Sequence, residues 1–107
     1  MWKYLNMWKK DKNKKTKREI KEITYEEIRN DYIIIDVRSR KEYKEGHING
    51  AINIPLSNIK DEINKFEKTE KILLYCQSGL RSKKGAKILE SLGYKEIYNL
   101  TGGIESI

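Results

Sequence analysis

Apolar positions in this chain come in short bursts separated by charged intervals. Tyr32-Ile33-Ile34-Ile35-Asp36-Val37 is a continuous run, β-branched at its centre, as expected of a strand covered on both faces. Lys71-Ile72-Leu73-Leu74-Tyr75 is a second buried strand of the same kind. Ile20 and Ile23 predict a short strand ending at Thr24, Gly50 to Pro55 another ended by the only proline, and Lys95 to Leu100 a last one. The intervals read as helices. Thr24-Tyr25-Glu26-Glu27 and Ser39-Arg40-Lys41-Glu42 both have capping-box spacing; the first opens a brief helix to about Asn30, and the second a short one that Gly46 stops. Ile59, Ile63 and Phe66 recur at helical spacing after Ser57, and Ser82 to Leu92 predicts a helix closed by Gly93. Strand–helix alternation of this kind implies an α/β fold, a mainly parallel sheet with helices on both faces.

Composition adds a boundary. The 107 residues leave room for one core only. Residues 1–18 carry eight Lys/Arg against the single Asp11, whereas residues 19–107 balance fifteen against fifteen, so the net charge of +7 belongs to the first segment. We therefore divide the chain into a basic, aromatic N-terminal tail (1–18), expected to be disordered, and a neutral domain (19–107). Trp2, Leu5 and Trp8 beside the lysine run suggest a weak membrane-surface contact, against the plainer reading of a solvated arm. No folded basic face or reader motif accompanies it, so nucleic acid is not an expected partner. No apolar stretch is long enough to span a bilayer and no signal-peptide pattern is present. The expectation is a cytoplasmic protein, at most peripheral to the membrane.

One cysteine excludes an internal disulfide and, with a single histidine, argues against a structural zinc site. Cys76 opens the run Cys76-Gln77-Ser78-Gly79-Leu80-Arg81-Ser82, directly after an apolar strand and directly before a helix. A lone cysteine is commonly just a small buried hydrophobe. Here polar, flexible residues follow it, so the thiol lies at the carboxyl end of a strand, the edge where open α/β sheets bind ligands. Backbone N–H groups converge on a tight strand-to-helix turn and the helix dipole is positive there, which favours a thiolate. Arg81, Lys83 and Lys84 crowd the first turn of the helix, where a sequence chosen for stability alone would place Asp or Glu. An anion-binding role accounts for that inversion.

Four ordered segments then carry a family resemblance. Ile35-Asp36-Val37-Arg38 with Glu42-Tyr43, the stretch from Gly46-His47-Ile48 to Ile54-Pro55, the Cys76–Ser82 loop and Leu100-Thr101-Gly102-Gly103-Ile104 together resemble a single-domain rhodanese, a sulfurtransferase module. The resemblance implies a central sheet of about five strands. It also implies a persulfide-forming Cys76 and a cradle of Gln77, Ser78, Gly79, Leu80, Arg81 and Ser82 that holds the substrate. Only four residues separate Cys76 from Arg81; related phosphatases and arsenate reductases have one more, so the short form points to sulfur chemistry. Asp36 and Arg38 are supporting residues whose charges should meet each other or the loop, the carboxylate fixing backbone N–H groups rather than moving protons. His47, tempting as a base, falls in a segment read as structural. Gly46, Gly50, Gly102 and Gly103 read as turn or close-packing positions.

The expected reaction moves a sulfane sulfur from a small anionic donor, thiosulfate or a persulfide, to a thiophilic acceptor such as cyanide or a thiol, through a Cys76 persulfide. No metal and no cofactor are implied. The rival from another class is a non-turnover persulfide carrier or sensor that relays sulfur to partner proteins. One departure stands out: family members commonly have an aromatic residue shortly after the glycine pair, and here Ile104-Glu105-Ser106-Ile107 follows, with Ile107 the candidate substitute.

Overall fold

In the computed structural model, which describes residues 20–107, five strands form one sheet in the order β1-β5-β4-β2-β3. They are β1 (Ile20–Ile23), β2 (Tyr32–Asp36), β3 (Ile52–Asn53), β4 (Lys71–Tyr75) and β5 (Glu96–Leu100). Every pairing is parallel. The expected tail lies outside the described residues. Three helices connect the strands: α1 (Arg40–Glu45), α2 (Ile59–Glu62) and α3 (Leu80–Ser91).

Alternation along β4 assigns each face its core. Ile72, Leu74 and Cys76 point into a cluster with Ile35, Val37, Ile59, Ile63, Ala86, Leu89 and Ile97, the side covered by α2 and α3. Leu73 and Tyr75 point the other way, into a cluster with Ile23, Ile48, Ala51, Tyr98 and Leu100 against which Tyr43 of α1 and Ile104 pack. Both faces are thus buried, which explains why β2 and β4 read as continuous apolar runs.

Two local differences from the sequence reading have physical causes. The helix expected over Ile59, Ile63 and Phe66 is broken into single turns, Leu56–Asn58 and Ile63–Lys65 flanking α2. Its apolar side is still buried, but the Tyr94 hydroxyl lies 2.9 Å from the carbonyl oxygens of both Ile63 and Phe66, supplying a donor where helical N–H groups would have been. α3 also begins two residues before the expected Ser82. Gly79 caps it at φ 106°, a left-handed conformation open to glycine, and so folds the loop straight into the helix.

Strand order fixes the place for chemistry. β2 and β4 are neighbours, Asp36 opposite Tyr75. From β2 the chain turns toward β3 on one side, and from β4 toward β5 on the other. The carboxyl ends of these two strands therefore form the topological switch point, where open α/β sheets leave a crevice. Val37-Arg38 and Cys76-Gln77 emerge there.

Candidate active site

Cys76 is 1% exposed and is a free thiol. Its Sγ accepts from the backbone N–H of Gly79 at 3.0 Å and of Ser82 at 3.4 Å, and the Ser82 hydroxyl lies 3.5 Å away. The early start of α3 creates this arrangement, because Gly79 and Ser82 occupy its cap and first turn and their N–H groups have no partner within the helix. Burial by itself pushes the thiol's pKa up; the Ser82 hydroxyl and the N–H groups of Ser82, Gly79 and Ser78 outweigh it, and the net direction is down. The pocket thus stabilises the thiolate relative to an ordinary cysteine.

Beneath the loop lies the Asp36–Arg38 pair, both residues buried. Arg38 gives Nε and Nη2 to the Asp36 carboxylate, with Nη2 2.8 Å from Oδ2, and Asp36 Oδ1 also accepts the Arg38 backbone N–H at 2.9 Å. Arg38 reaches further, to the Gly46 carbonyl at 2.6 Å and to Gln77 Oε1 at 3.4 Å. The carboxylate thus holds both a backbone N–H and the guanidinium, and the guanidinium touches the loop at Gln77. The hydrogen bonds that Arg38 donates to Asp36 raise its pKa, against an opposing effect of burial.

The glycine pair completes the support from the opposite side. Ile104 N–H donates to the Cys76 carbonyl at 2.9 Å and Glu105 N–H to the Gln77 carbonyl at 3.1 Å. Gln77 Nε2 in turn donates to Glu105 at 3.2 Å. The first residues of the loop thus have their carbonyls drawn toward the C-terminal turn, Gly103–Ser106. Ile107, the candidate for the missing aromatic, is 58% exposed and does not cover the core; the covering residue is Ile104.

Arg81 has a partner that the sequence did not suggest: its guanidinium makes two parallel bonds to the Glu42 carboxylate, Nη1 at 2.8 Å and Nη2 at 3.0 Å. Glu42 is simultaneously the capping-box residue of α1, accepting the Ser39 N–H at 3.0 Å. The Arg81 bonds, with help from the Ser39 N–H, lower its pKa to about 2. Sequence reasoning found Glu42 as a helix cap and within a family signature but not as the partner of Arg81, since nothing local marks a partner 39 residues away. Leu80, in the same turn, is 72% exposed. His47 lies apart from this constellation, its ring 3.7 Å from that of Tyr43 and its Nδ1 2.8 Å from the Tyr43 carbonyl oxygen. Among the described residues no group of His, Cys, Asp and Glu is arranged to hold a metal ion, and no helix is long and apolar enough to cross a membrane.

The comparison with known proteins decides the family. The Rhodanese-like domain family matches residues 9–107. This chain belongs to the rhodanese family. A Bacillus subtilis relative, the uncharacterized protein YqhL, is 44% identical over 89 residues, 80% of this chain and 71% of the relative. Thiosulfate sulfurtransferase GlpE of Coxiella burnetii is 36% identical over 76 residues, 71% of each chain. Among solved structures, a rhodanese-related protein from Thermoplasma volcanium superposes with a TM-score of 0.72 at 33% identity, covering 80% of this chain and 88% of that one. An Escherichia coli rhodanese solved with anions gives 0.65 at 35% identity, over 71% of this chain and 91% of the other. The rhodanese fold, with its five-stranded parallel sheet, is what the sequence implied.

Proposed function

We propose that this rhodanese domain is a sulfurtransferase that accepts a sulfane sulfur from thiosulfate or a related donor and passes it to a thiophilic acceptor. The observation that carries the reading is the Cys76 sulfur, held by the Gly79 and Ser82 N–H groups in a pocket that stabilises its thiolate relative to an ordinary cysteine. The name of the Coxiella relative, a thiosulfate sulfurtransferase, supports the choice of donor.

In the first half-reaction the Cys76 thiolate attacks the outer sulfur of thiosulfate. A new S–S bond forms, the bond between the outer sulfur and the sulfonate sulfur breaks, and its electron pair leaves with sulfite. The products are a Cys76 persulfide anion and sulfite, with the total charge unchanged. Negative charge moves from Sγ to the terminal persulfide sulfur within the same turn, where the converging backbone N–H groups and the helix N-terminus favour an anion. In the second half-reaction the acceptor, cyanide in an assay, attacks that terminal sulfur and leaves as thiocyanate, restoring the thiolate. Two half-reactions sharing a covalent intermediate give ping-pong kinetics.

Steady-state thiocyanate formation with both substrates varied tests the reading. Parallel double-reciprocal lines, and no turnover by Cys76→Ser, are expected; turnover by Cys76→Ser would overturn it. A protein that takes up sulfur from thiosulfate but never turns over with small acceptors would instead be a persulfide carrier.

A further inference from the structure

The charges around the loop are unusual for a site that must admit an anion. Three carboxylates lie within one hydrogen bond of the loop's side chains or of the guanidinium beneath it: Glu42 on Arg81, Glu105 on Gln77 and Asp36 on Arg38. Among the described residues, two guanidiniums, Arg38 and Arg81, face them. Arg38 is buried and already committed to Asp36, the Gly46 carbonyl and Gln77. Arg81 is the cation that the loop itself contributes, and Glu42 engages both of its terminal nitrogens. Lys83, Lys84 and Glu105 are all exposed, so solvent screens their charges, and the pair that decides the loop's own charge is Arg81 with Glu42.

We propose that Glu42 is a specificity-determining residue: by pairing with Arg81 it offsets the loop's own cation and so weakens the advantage that a dianionic sulfur donor such as thiosulfate would otherwise have over a donor carrying a single negative charge. The inference rests on the sulfurtransferase reading above and narrows its donor class. Glu42 does this through Arg81 without touching the sulfur. Its place is fixed independently by the capping box of α1, where Glu42 accepts the Ser39 N–H while the Ser39 hydroxyl accepts from the Glu42 N–H. Glutamine serves equally well at that capping position. Glu42→Gln therefore removes the charge and leaves the helix cap standing.

The test compares two sulfane donors of like shape and unlike charge, thiosulfate (a dianion) and methanethiosulfonate (a monoanion), with cyanide as acceptor. Glu42→Gln should lower KM for thiosulfate by about threefold more than it lowers KM for methanethiosulfonate, since each unit of donor charge feels the change once. The kcat values should barely move, and the difference between donors should shrink as salt is raised. Arg81→Gln, which leaves the Glu42 carboxylate without its counter-ion, should move the ratio of the two KM values in the opposite direction. Equal changes for both donors, or a rise in KM for thiosulfate in Glu42→Gln, would overturn the proposal and leave Glu42 as an anchor for Arg81. A second readout needs no turnover: Glu42→Gln should speed alkylation of Cys76 by iodoacetate relative to iodoacetamide. An unchanged alkylation ratio also overturns the proposal. Absence of thiocyanate from either donor in the parent protein, with the alkylation ratio still shifting, would instead sink the sulfurtransferase reading and keep the charge effect.

Discussion

Gly103 lies so close beneath Gln77 that it has no room for a side chain: a Cβ on it would fall inside contact distance of the Gln77 backbone and 2.6 Å from the Cys76 carbonyl oxygen. The second glycine of the C-terminal pair is therefore the floor of the reactive loop. Two hydrogen bonds from the next residues, Ile104 and Glu105, hold the loop's carbonyls onto that floor. Those carbonyls point down, and the N–H groups that follow are left to point at sulfur.

Gly103→Ala should accordingly disturb the loop as well as the fold. Overpacking costs about 1–3 kcal/mol, and Gly103 has in addition a φ of +65° that alanine adopts poorly. Gly50→Ala is the control, since Gly50 has a φ of +86° but nothing within 4 Å of its missing Cβ. Urea unfolding should show a larger loss for Gly103→Ala. Thiocyanate formation per folded molecule should fall in that variant alone; equal activity in both would mean that the loop tolerates a raised floor.

Ser82 supports the thiolate in two ways, and only the backbone one survives mutation. Ser82→Ala keeps the N–H at 3.4 Å from Sγ and removes the hydroxyl at 3.5 Å. A donor to the charged form is lost, so the Cys76 pKa should rise. The pH profile of Cys76 alkylation should move to higher pH. An unmoved profile would mean that the hydroxyl stays on the Gly79 carbonyl, its other neighbour at 3.1 Å.

The Asp36–Arg38 pair can be broken from one side. Arg38→Met leaves the Asp36 carboxylate buried without its counter-ion, a loss of about 3–5 kcal/mol by the measure of other buried pairs. It also withdraws the donors to Gly46 and Gln77. Equilibrium unfolding should show the full loss; a loss under about 1 kcal/mol would place the pair at the level of a surface bridge.

Acid should act on Glu42. Its folded-state pKa, about 2, lies below the ordinary 4.5. A depressed carboxylate contributes stability that is complete above the unfolded value and is lost as pH falls toward the folded one. Between about pH 4.5 and 2 the parent protein should therefore lose stability more steeply than Glu42→Gln. Parallel acid limbs in thermal unfolding would show that the ion pair with Arg81 contributes nothing in solution.

These variants also mark how far sequence alone reaches. β4, the cysteine at its end and the capping box at Ser39 were legible because each is a local pattern: an apolar run, a polar break, a serine three residues before a glutamate. The parallel sheet followed from strand–helix alternation and the number of strands from the family resemblance, but the strand order was not read; Asp36 and Arg38 were expected to meet each other or the loop because both close a strand at the edge that carries Cys76. What could not be read were contacts whose partners are remote in sequence and ordinary in type. Glu42 and Arg81 are both common surface residues 39 positions apart, and Tyr94, which breaks the helix near Ile63, acts from 31 positions away. The start of α3 was missed because a glycine cap in a left-handed conformation looks, in sequence, like any loop glycine.

The account turns on one covalent step at one sulfur, and intact mass reads it directly. After incubation with thiosulfate and removal of excess donor, the protein should be heavier by the mass of one sulfur atom, located by peptide mapping at Cys76. Cyanide should return it to its starting mass with release of thiocyanate. Cys76→Ser should show neither change. A parent protein whose mass does not change under thiosulfate, or one that gains sulfur equally well without Cys76, would contradict the account.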